Sequence, residues 1–407
     1  MNILVINAGS SSLKYQLIEM NGTKVIAKGE VERIGIEGSL LSHKPIGKDK
    51  VKIQQPMKSH TDAIELVLHA LTDEEHGVIA SMDEINAVGH RVVHGAEQFS
   101  GSVIIDDNVL AAIKECAELA PLHNPANLMG IQACKSIMPD VPMVGVFDTA
   151  FHQTMPKQAF LYGLSYEAYE KFRVRRYGFH GTSHKFVAYR YAEITGKNIE
   201  DLKLVTCHLG NGSSVCAVDG GKSVDTSMGF TPLEGLVMGT RSGDIDPAIV
   251  PYLMDKMKMD LEQTITYLNK KCGVWGLSGV SSDFRDLWDA QEAGNERAEI
   301  ALRVFCQKLK KTIGAYIAVM GGVDAIIFTA GIGENDFLVR EWAVEGFQFI
   351  GATIDKDKNL EFHHVRGQDV KLSTEDSGVE IWCIPTNEEL AIAKEAFGLC
   401  QDAGYCK

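Results

Sequence analysis

Apolar and polar positions follow two rhythms along this chain. Short runs rich in Val, Ile and Leu at 3–6, 87–93, 143–146, 204–208, 325–329 and 380–384 read as buried strands. The stretches between them have helical spacing. Thr61 is placed to cap a helix whose apolar face is Ile64, Val67, Leu68 and Leu71, stopping near Gly77. Residues 108–120 share that period, Asp260 is placed to cap a helix running to Gly273, and a longer helix starts near Asn295 and carries Ile300, Val304 and Leu309. Strands alternating with helices predict an α/β protein with a mixed sheet in each half.

Two of the strand runs end in the same kind of punctuation. Val5-Ile6-Asn7-Ala8-Gly9-Ser10-Ser11-Ser12-Leu13-Lys14 opens the chain, and Val205-Thr206-Cys207-His208-Leu209-Gly210-Asn211-Gly212-Ser213-Ser214-Val215 returns half a chain later. Each is an apolar strand entering a tight turn of Gly and small polar residues. Such a turn lets backbone approach a ligand closely, and its successive N–H groups form an anion-binding concavity. Either alone reads as an ordinary Gly/Ser hairpin. The pair predicts a duplicated fold with a nucleotide held between its halves.

Composition narrows the class. The 407 residues suffice for about two or three domains, and 45% hydrophobic with 23% charged residues is ordinary for a globular protein. A net charge of −14 argues against general nucleic-acid binding, so any site for an anion must gather its cations locally. Nine cysteines without Cys-x-x-Cys spacing fit free thiols in a reducing cytoplasm. Met1 leads straight into a strand-like run without a signal peptide, and the nearly uncharged stretch 313–333 is broken by Gly321-Gly322 and Asp324, so no membrane span is expected. No linker is visible. The boundary is placed after Ala150, giving domains 1–150 and 151–386, with the last helix (387–407) packing back on the first.

The common nucleotide motifs are absent: there is no Gly-x-x-x-x-Gly-Lys-Ser/Thr, and no Gly-x-Gly-x-x-Gly follows a strand. His90 and His94 have metalloprotease-like spacing but lack the Glu and sit in a strand pattern. What remains is a set of cations and one carboxylate in Gly- or Pro-rich punctuation: Arg91, His123 with Asn124, Asp148, His180 and Arg241. Singly, each Arg reads as a surface ion pair and each His as a structural histidine. Together they fall where loops carry function in open α/β folds.

With both glycine signatures and these residues in view, the chain resembles the acetate kinases (acetokinase family), of the acetate and sugar kinase/heat-shock ATPase/actin superfamily. Further matches are Gly331-Ile332-Gly333-Glu334-Asn335 and Thr386-Asn387-Glu388-Glu389-Leu390, so the likeness spans all but the tail after Gly398. It implies a duplicated ribonuclease H-like, actin-type ATPase fold with an interdomain active-site cleft. It also implies a cytoplasmic homodimer that phosphorylates acetate reversibly with ATP and Mg²⁺, Mn²⁺ serving as a substitute, with no nucleic-acid or membrane partner. Carried over residue by residue, Asn7 and Glu388 support the metal and Lys14 the nucleotide phosphates. Arg91 binds the acetate carboxylate, Asp148 is catalytic, and His180 and Arg241 stabilise the transferring phosphoryl group. His208, Leu209, Gly210, Asn211, Gly212, Asp283, Phe284, Arg285, Gly331, Ile332, Gly333, Glu334 and Asn335 hold the nucleotide, and Val93, Leu122, Phe179 and Pro232 form the pocket for the substrate methyl.

The chemistry agrees: phosphoryl transfer needs positioning and cationic stabilisation, and the fork of Arg suits carboxylate and phosphate alike. Three alternatives stay open: a propionate or butyrate kinase on the same scaffold, a non-enzymatic ATP-switched interaction protein, and a sugar kinase. A hydroxamate assay for acyl phosphate across acetate, propionate, butyrate and glucose separates them.

Overall fold

The computed structural model describes residues 1–121, 123–363 and 367–405. The chain forms two compact units, one of Met1–Gln153 with Asn387–Lys407 and one of Thr154–Thr386.

The first unit is built on an eight-stranded sheet: β1 (Asn2–Ala8), β2 (Ser12–Glu19), β3 (Lys24–Glu32), β4 (Leu40–Pro45), β5 (Val51–Gln54), β6 (Ile85–Val92), β7 (Val103–Ile104) and β8 (Met143–Phe147), in the order β5-β4-β3-β2-β1-β6-β8-β7. β1 to β5 form an antiparallel meander, whereas β1, β6 and β8 run parallel. The parallel strands are covered on both faces, which is why they read as continuous apolar runs. On one face, α1 (His60–Thr72), α2 (Asp107–Glu115) and α3 (Asn124–Ile137) pack in the core of Leu4, Ile6, Ile64, Leu71, Ile113 and Ile131. On the other, the C-terminal helix Glu388–Asp402 buries Ile392, Ala393, Ala396 and Cys400 against Ile3, Val5, Ala87, Val144 and Val146.

The second unit repeats the plan with six strands: β9 (Lys203–Leu209), β10 (Ser213–Asp219), β11 (Lys222–Thr226), β12 (Ala325–Thr329), β13 (Val370–Lys371) and β14 (Glu380–Cys383), in the order β11-β10-β9-β12-β14-β13. β9–β10–β11 is the antiparallel meander, and β9, β12 and β14 run parallel. The order β3-β2-β1-β6-β8 thus returns as β11-β10-β9-β12-β14. The two glycine signatures occupy the same place in each unit, the turn between the first two strands. This is the duplicated α/β, actin-type arrangement that the sequence predicts.

Local details depart from the sequence reading in four places. The first helix is capped by Ser59, not Thr61, through a reciprocal capping box with Asp62, and it ends at Asp73. The helix expected over 108–120 passes into a 3₁₀ turn at Cys116–Glu118. Asp260 does form a capping box with Gln263, but that helix stops at Lys270 and Gly273 begins another. Asn295 caps the long helix Glu296–Met320, whose buried stripe is Ala298, Ala301, Leu302, Phe305, Leu309 and Ile313; Ile300 and Val304 lie off it, exposed. Gly321, at φ +68°, ends that helix before β12. Among the described residues no helix is long and apolar enough to cross a membrane, and the eight described cysteines are free thiols.

Candidate active site

In the first unit the site grows from the C-terminal ends of the parallel strands, where α/β sheets bind ligands. Arg91 is the penultimate residue of β6 and Asp148 follows β8, so neighbouring strands bring them side by side. The Arg91 guanidinium meets the Asp148 carboxylate as a fork, Nε to Oδ1 at 3.1 Å and Nη2 to Oδ2 at 2.5 Å. Asp148 is only 2% exposed, and its N–H is tied to the Val92 carbonyl. The paired carboxylate pushes the Arg91 pKa up, against burial. Asn7, at the end of β1, sets its amide oxygen 3.5 Å from Arg91 Nη1. Lys14 stands directly opposite Asn7 on β2, exposed, its Nζ 3.7 Å from Glu30. Val93 is buried one step beyond β6.

Glu388 opens the C-terminal helix behind the Asn387 cap. Burial, together with the carboxylates of Asp148 and Glu389, pushes its carboxyl up to about 7, with Arg91 opposing. The oxygens of Asn7 and Glu388 are hard donors of the kind Mg²⁺ takes. Among the described residues no three His, Cys, Asp or Glu side chains form a metal cage. Leu122 lies outside the described residues.

The second unit gathers its cations around the second glycine turn. His180 sits in the left-handed region (φ +58°) before the helix Gly181–Thr195 and stacks on His208, ring centroids 4.0 Å apart. Hydroxyls fix the rings: His180 Nδ1 and Ser214 Oγ are 2.8 Å apart, His184 Nε2 and the same Oγ 2.7 Å, and His208 Nδ1 and Ser183 Oγ 2.8 Å. The turn closes through Gly210 N–H to the Gly212 carbonyl and Ser213 Oγ to the Gly210 carbonyl. A Cβ on Gly212 would come within 3.1 Å of Arg241 Nη1 and 3.6 Å of the His180 ring. Glycine there leaves room for Arg241 to lie against the turn. A Cβ on Gly239 would strike Asn211 Oδ1 at 2.0 Å, so a larger residue there would have to displace the Asn211 side chain.

Arg241 donates to the Pro232 carbonyl at 3.4 Å and has no carboxylate partner among the described residues. Burial pushes its pKa down. Phe179 is buried and Pro232 half-buried. A network that the sequence reading missed braces the Pro232 loop. Arg176 Nη1 donates to the carbonyls of Thr226, Ser227 and Met228, and Nη2 donates to Glu234 at 2.6 Å. Tyr162 also donates to Glu234 and accepts from Phe230 N–H. Its members are far apart in the chain, with no motif around them, so no sequence signal was available.

The remaining expected nucleotide residues divide. Gly331, Ile332, Gly333, Glu334 and Asn335 lie on the short helix Ala330–Asn335 that follows β12, whose last residue Thr329 pairs with His208 of β9 just ahead of the glycine turn. Glu334 accepts the N–H groups of Ala330 and Thr386, and Asn335 donates to the Gly331 carbonyl. Both side chains therefore brace this short helix. Asp283 and Arg285 pair with each other at the start of the helix Phe284–Glu292. Among the described residues no ion pair or side-chain hydrogen bond joins them to the histidine and Arg241 group. Phe284 is buried in the unit's core, edge-on to Phe305, and so offers a ligand only its backbone.

Comparison with known proteins places this geometry. The Acetokinase family model matches residues 2–394. The acetate kinase of Caldanaerobacter subterraneus subsp. tengcongensis is 62% identical over 396 residues, covering 97% of this chain and 98% of the relative. Among solved structures, Porphyromonas gingivalis acetate kinase superposes with a TM-score of 0.95 at 46% identity, covering 98% and 99% of the two chains. A propionate kinase from Francisella tularensis does so at 0.89 and 39% identity, covering 98% and 99%.

Proposed function

The chain belongs to the acetokinase family, and from that premise we propose how its residues carry out the family's reaction, the reversible phosphorylation of acetate by ATP. It is an enzyme of that family, which leaves no place for the non-enzymatic and sugar-kinase readings. In our reading the acetate carboxylate attacks the γ-phosphorus of ATP directly and in line. Arg91 receives and orients the carboxylate while Asp148 holds the guanidinium in register. Val93, Leu122, Phe179 and Pro232 are the residues proposed to contact the methyl group. His180 and Arg241 face the transferring phosphoryl group, whose charge spreads over its equatorial oxygens. The turn at Gly210–Gly212 and the short helix over 331–335 hold the nucleotide, and Lys14 meets its phosphates. Asn7 and Glu388 are the residues to hold Mg²⁺, or Mn²⁺ in its place. When bound, the ion neutralises phosphate charge and fixes phosphate orientation.

The observation that carries this reading is Arg241. A half-buried guanidinium with no carboxylate among the described residues, set against a glycine turn and a histidine ring, is a place prepared for an external anion. The enzyme is proposed to act in the cytoplasm as a homodimer. Ile249, Tyr252, Met257, Leu261 and Ile265, exposed on two successive helices, supply apolar surface for association.

Propionate is the competing substrate, since one methylene in an apolar pocket discriminates by only about 10–200-fold. Val93→Ala removes two methyl groups beside the substrate methyl. The propionate-to-acetate ratio of kcat/KM, read as hydroxamate, should rise several-fold. An unchanged ratio would place Val93 outside the pocket.

Glu388 yields a pH prediction. With its carboxyl raised to about 7, the cation-free enzyme holds a proton there below that pH, and a divalent cation must displace it. Apparent Mn²⁺ affinity should therefore weaken by up to about tenfold per unit as pH falls below 7 and level off above it. Glu388→Gln should bind weakly with a flat profile. Equal wild-type affinity at pH 6 and pH 8 would remove Glu388 from the metal site.

A further inference from the structure

We infer that Asn127 is a positioning residue that locks the acyl-binding end of β6 to the end of β1 that enters the first glycine turn, coupling acyl selection to phosphate binding. The inference rests on the roles proposed above for Val93, Arg91, Asn7 and that turn.

The parallel ladder between β1 and β6 runs only as far as Ile6 and His90. Beyond it, one side-chain amide bridges the two strand ends. Asn127, near the start of α3, accepts the Val93 N–H on Oδ1 at 3.1 Å and donates from Nδ2 to the Ala8 carbonyl at 2.9 Å. The residue is 3% exposed. Its orientation is dictated by its partners, because a flipped amide would set donor against donor and acceptor against acceptor. Val93 lies two residues past Arg91, and Ala8 sits between Asn7 and Gly9. Gly9 is itself anchored from α1, with His60 Nε2 2.7 Å from its carbonyl. The helix bearing Asn127 lies so close to β1 that a Cβ on Gly130 would come within 2.8 Å of the Ala8 methyl. The amide therefore cannot shift without shifting the strand ends.

Buried, its two hydrogen bonds form in a low dielectric, and loss of either leaves a backbone group unsatisfied. They are also chemically separable. Asn127→Asp keeps an acceptor for Val93 N–H but turns an acceptor toward the Ala8 carbonyl. Asn127→Leu keeps the branched shape, at a larger volume, and removes both contacts.

The experiment measures kcat and KM for acetate and propionate by hydroxamate formation, Mg·ADP affinity by calorimetry, and the thermal midpoint. It covers wild type, Asn127→Asp, Asn127→Leu, Val93→Ala and, as a stability control, Ile131→Val in the buried face of the same helix. Asn127→Leu should raise the propionate-to-acetate ratio and weaken Mg·ADP binding, each by at least about threefold. Asn127→Asp should weaken Mg·ADP binding as much while leaving the acyl ratio near wild type. Its binding defect should shrink at lower pH, where the introduced carboxyl regains a proton to donate. Ile131→Val should lower the midpoint and move neither parameter. The inference is overturned if Asn127→Asp and Asn127→Leu change the acyl ratio equally, or if both behave like Ile131→Val. Should Asn127→Leu fail to fold, unchanged Mg·ADP affinity in Asn127→Asp overturns it alone. An unchanged acyl ratio in Val93→Ala would refute the pocket reading instead, and the Mg·ADP arm would still decide the role of Asn127.

Discussion

Arg241→Ala and Arg91→Ala should each lower kcat/KM for acetate by at least about a hundredfold, or about 2.7 kcal/mol of transition-state stabilisation. The reasoning differs for the two residues, and so do their side effects. Arg241 lies against Gly212 and has no carboxylate partner among the described residues. Its removal costs the protein little that the fold needs, so the thermal midpoint should hardly move while turnover collapses. Arg91 is committed to Asp148 in a buried fork. Truncating it strands a carboxylate that is 2% exposed, and breaking such a pair from one side costs about 3–5 kcal/mol of stability. Arg91→Ala should therefore lose both activity and thermal stability. Arg91→Lys should recover part of the stability but little activity, because an ammonium cannot reproduce the two-pronged contact. Near-normal turnover in either alanine variant would remove that arginine from the mechanism.

Asp148→Asn should lower kcat by at least about a hundredfold while leaving nucleotide affinity nearly intact. Acetate, with a pKa near the carboxylate value of about 4, reaches the enzyme ionised, so there is no proton for a base to take. Both Asp148 oxygens are instead occupied by Arg91 Nε and Nη2. The expected role is to fix the guanidinium plane on which the acetate carboxylate docks. The amide of Asn offers one acceptor where the carboxylate offers two, and no charge, so the fork loosens without loss of volume. A base role makes the opposite forecast: a wild-type solvent isotope effect on a proton-abstraction limb, disappearing in Asp148→Asn. Finding that effect would reverse the assignment.

The fold class and the family were legible because their signals are local. A glycine turn between two apolar runs makes a hairpin whichever way the rest of the chain folds, and the two turns join β1 to β2 and β9 to β10. Asn295 and Asp260 cap helices through N–H groups two or three residues ahead, so their partners are written beside them. Whole-length likeness supplied the rest: motifs of such length mark a family before any contact is known. Even local reasoning was limited where two neighbours competed, as at Ser59 and Thr61. There the choice fell to the residue whose reciprocal partner, Asp62, stands three places on.

Contacts between distant parts of the chain were decided only by the tertiary structure. Arg91 and Asp148 could both be named from sequence, but their pairing depends on β6 and β8 being neighbours in register. Phe284 reads as part of a nucleotide motif, yet the packing of its helix turns the ring into the core. Ile300 and Val304 match the helical period, yet the helix Glu296–Met320 presents a stripe of Ala298, Leu302 and Phe305 inward and leaves them in solvent. Asn127 and the Arg176–Glu234–Tyr162 brace carry no motif. An amide or guanidinium gains its role from the backbone groups that packing sets in front of it, and those groups lie tens of residues away. Sequence determines what each segment is able to form; register and packing angle determine which side chains meet.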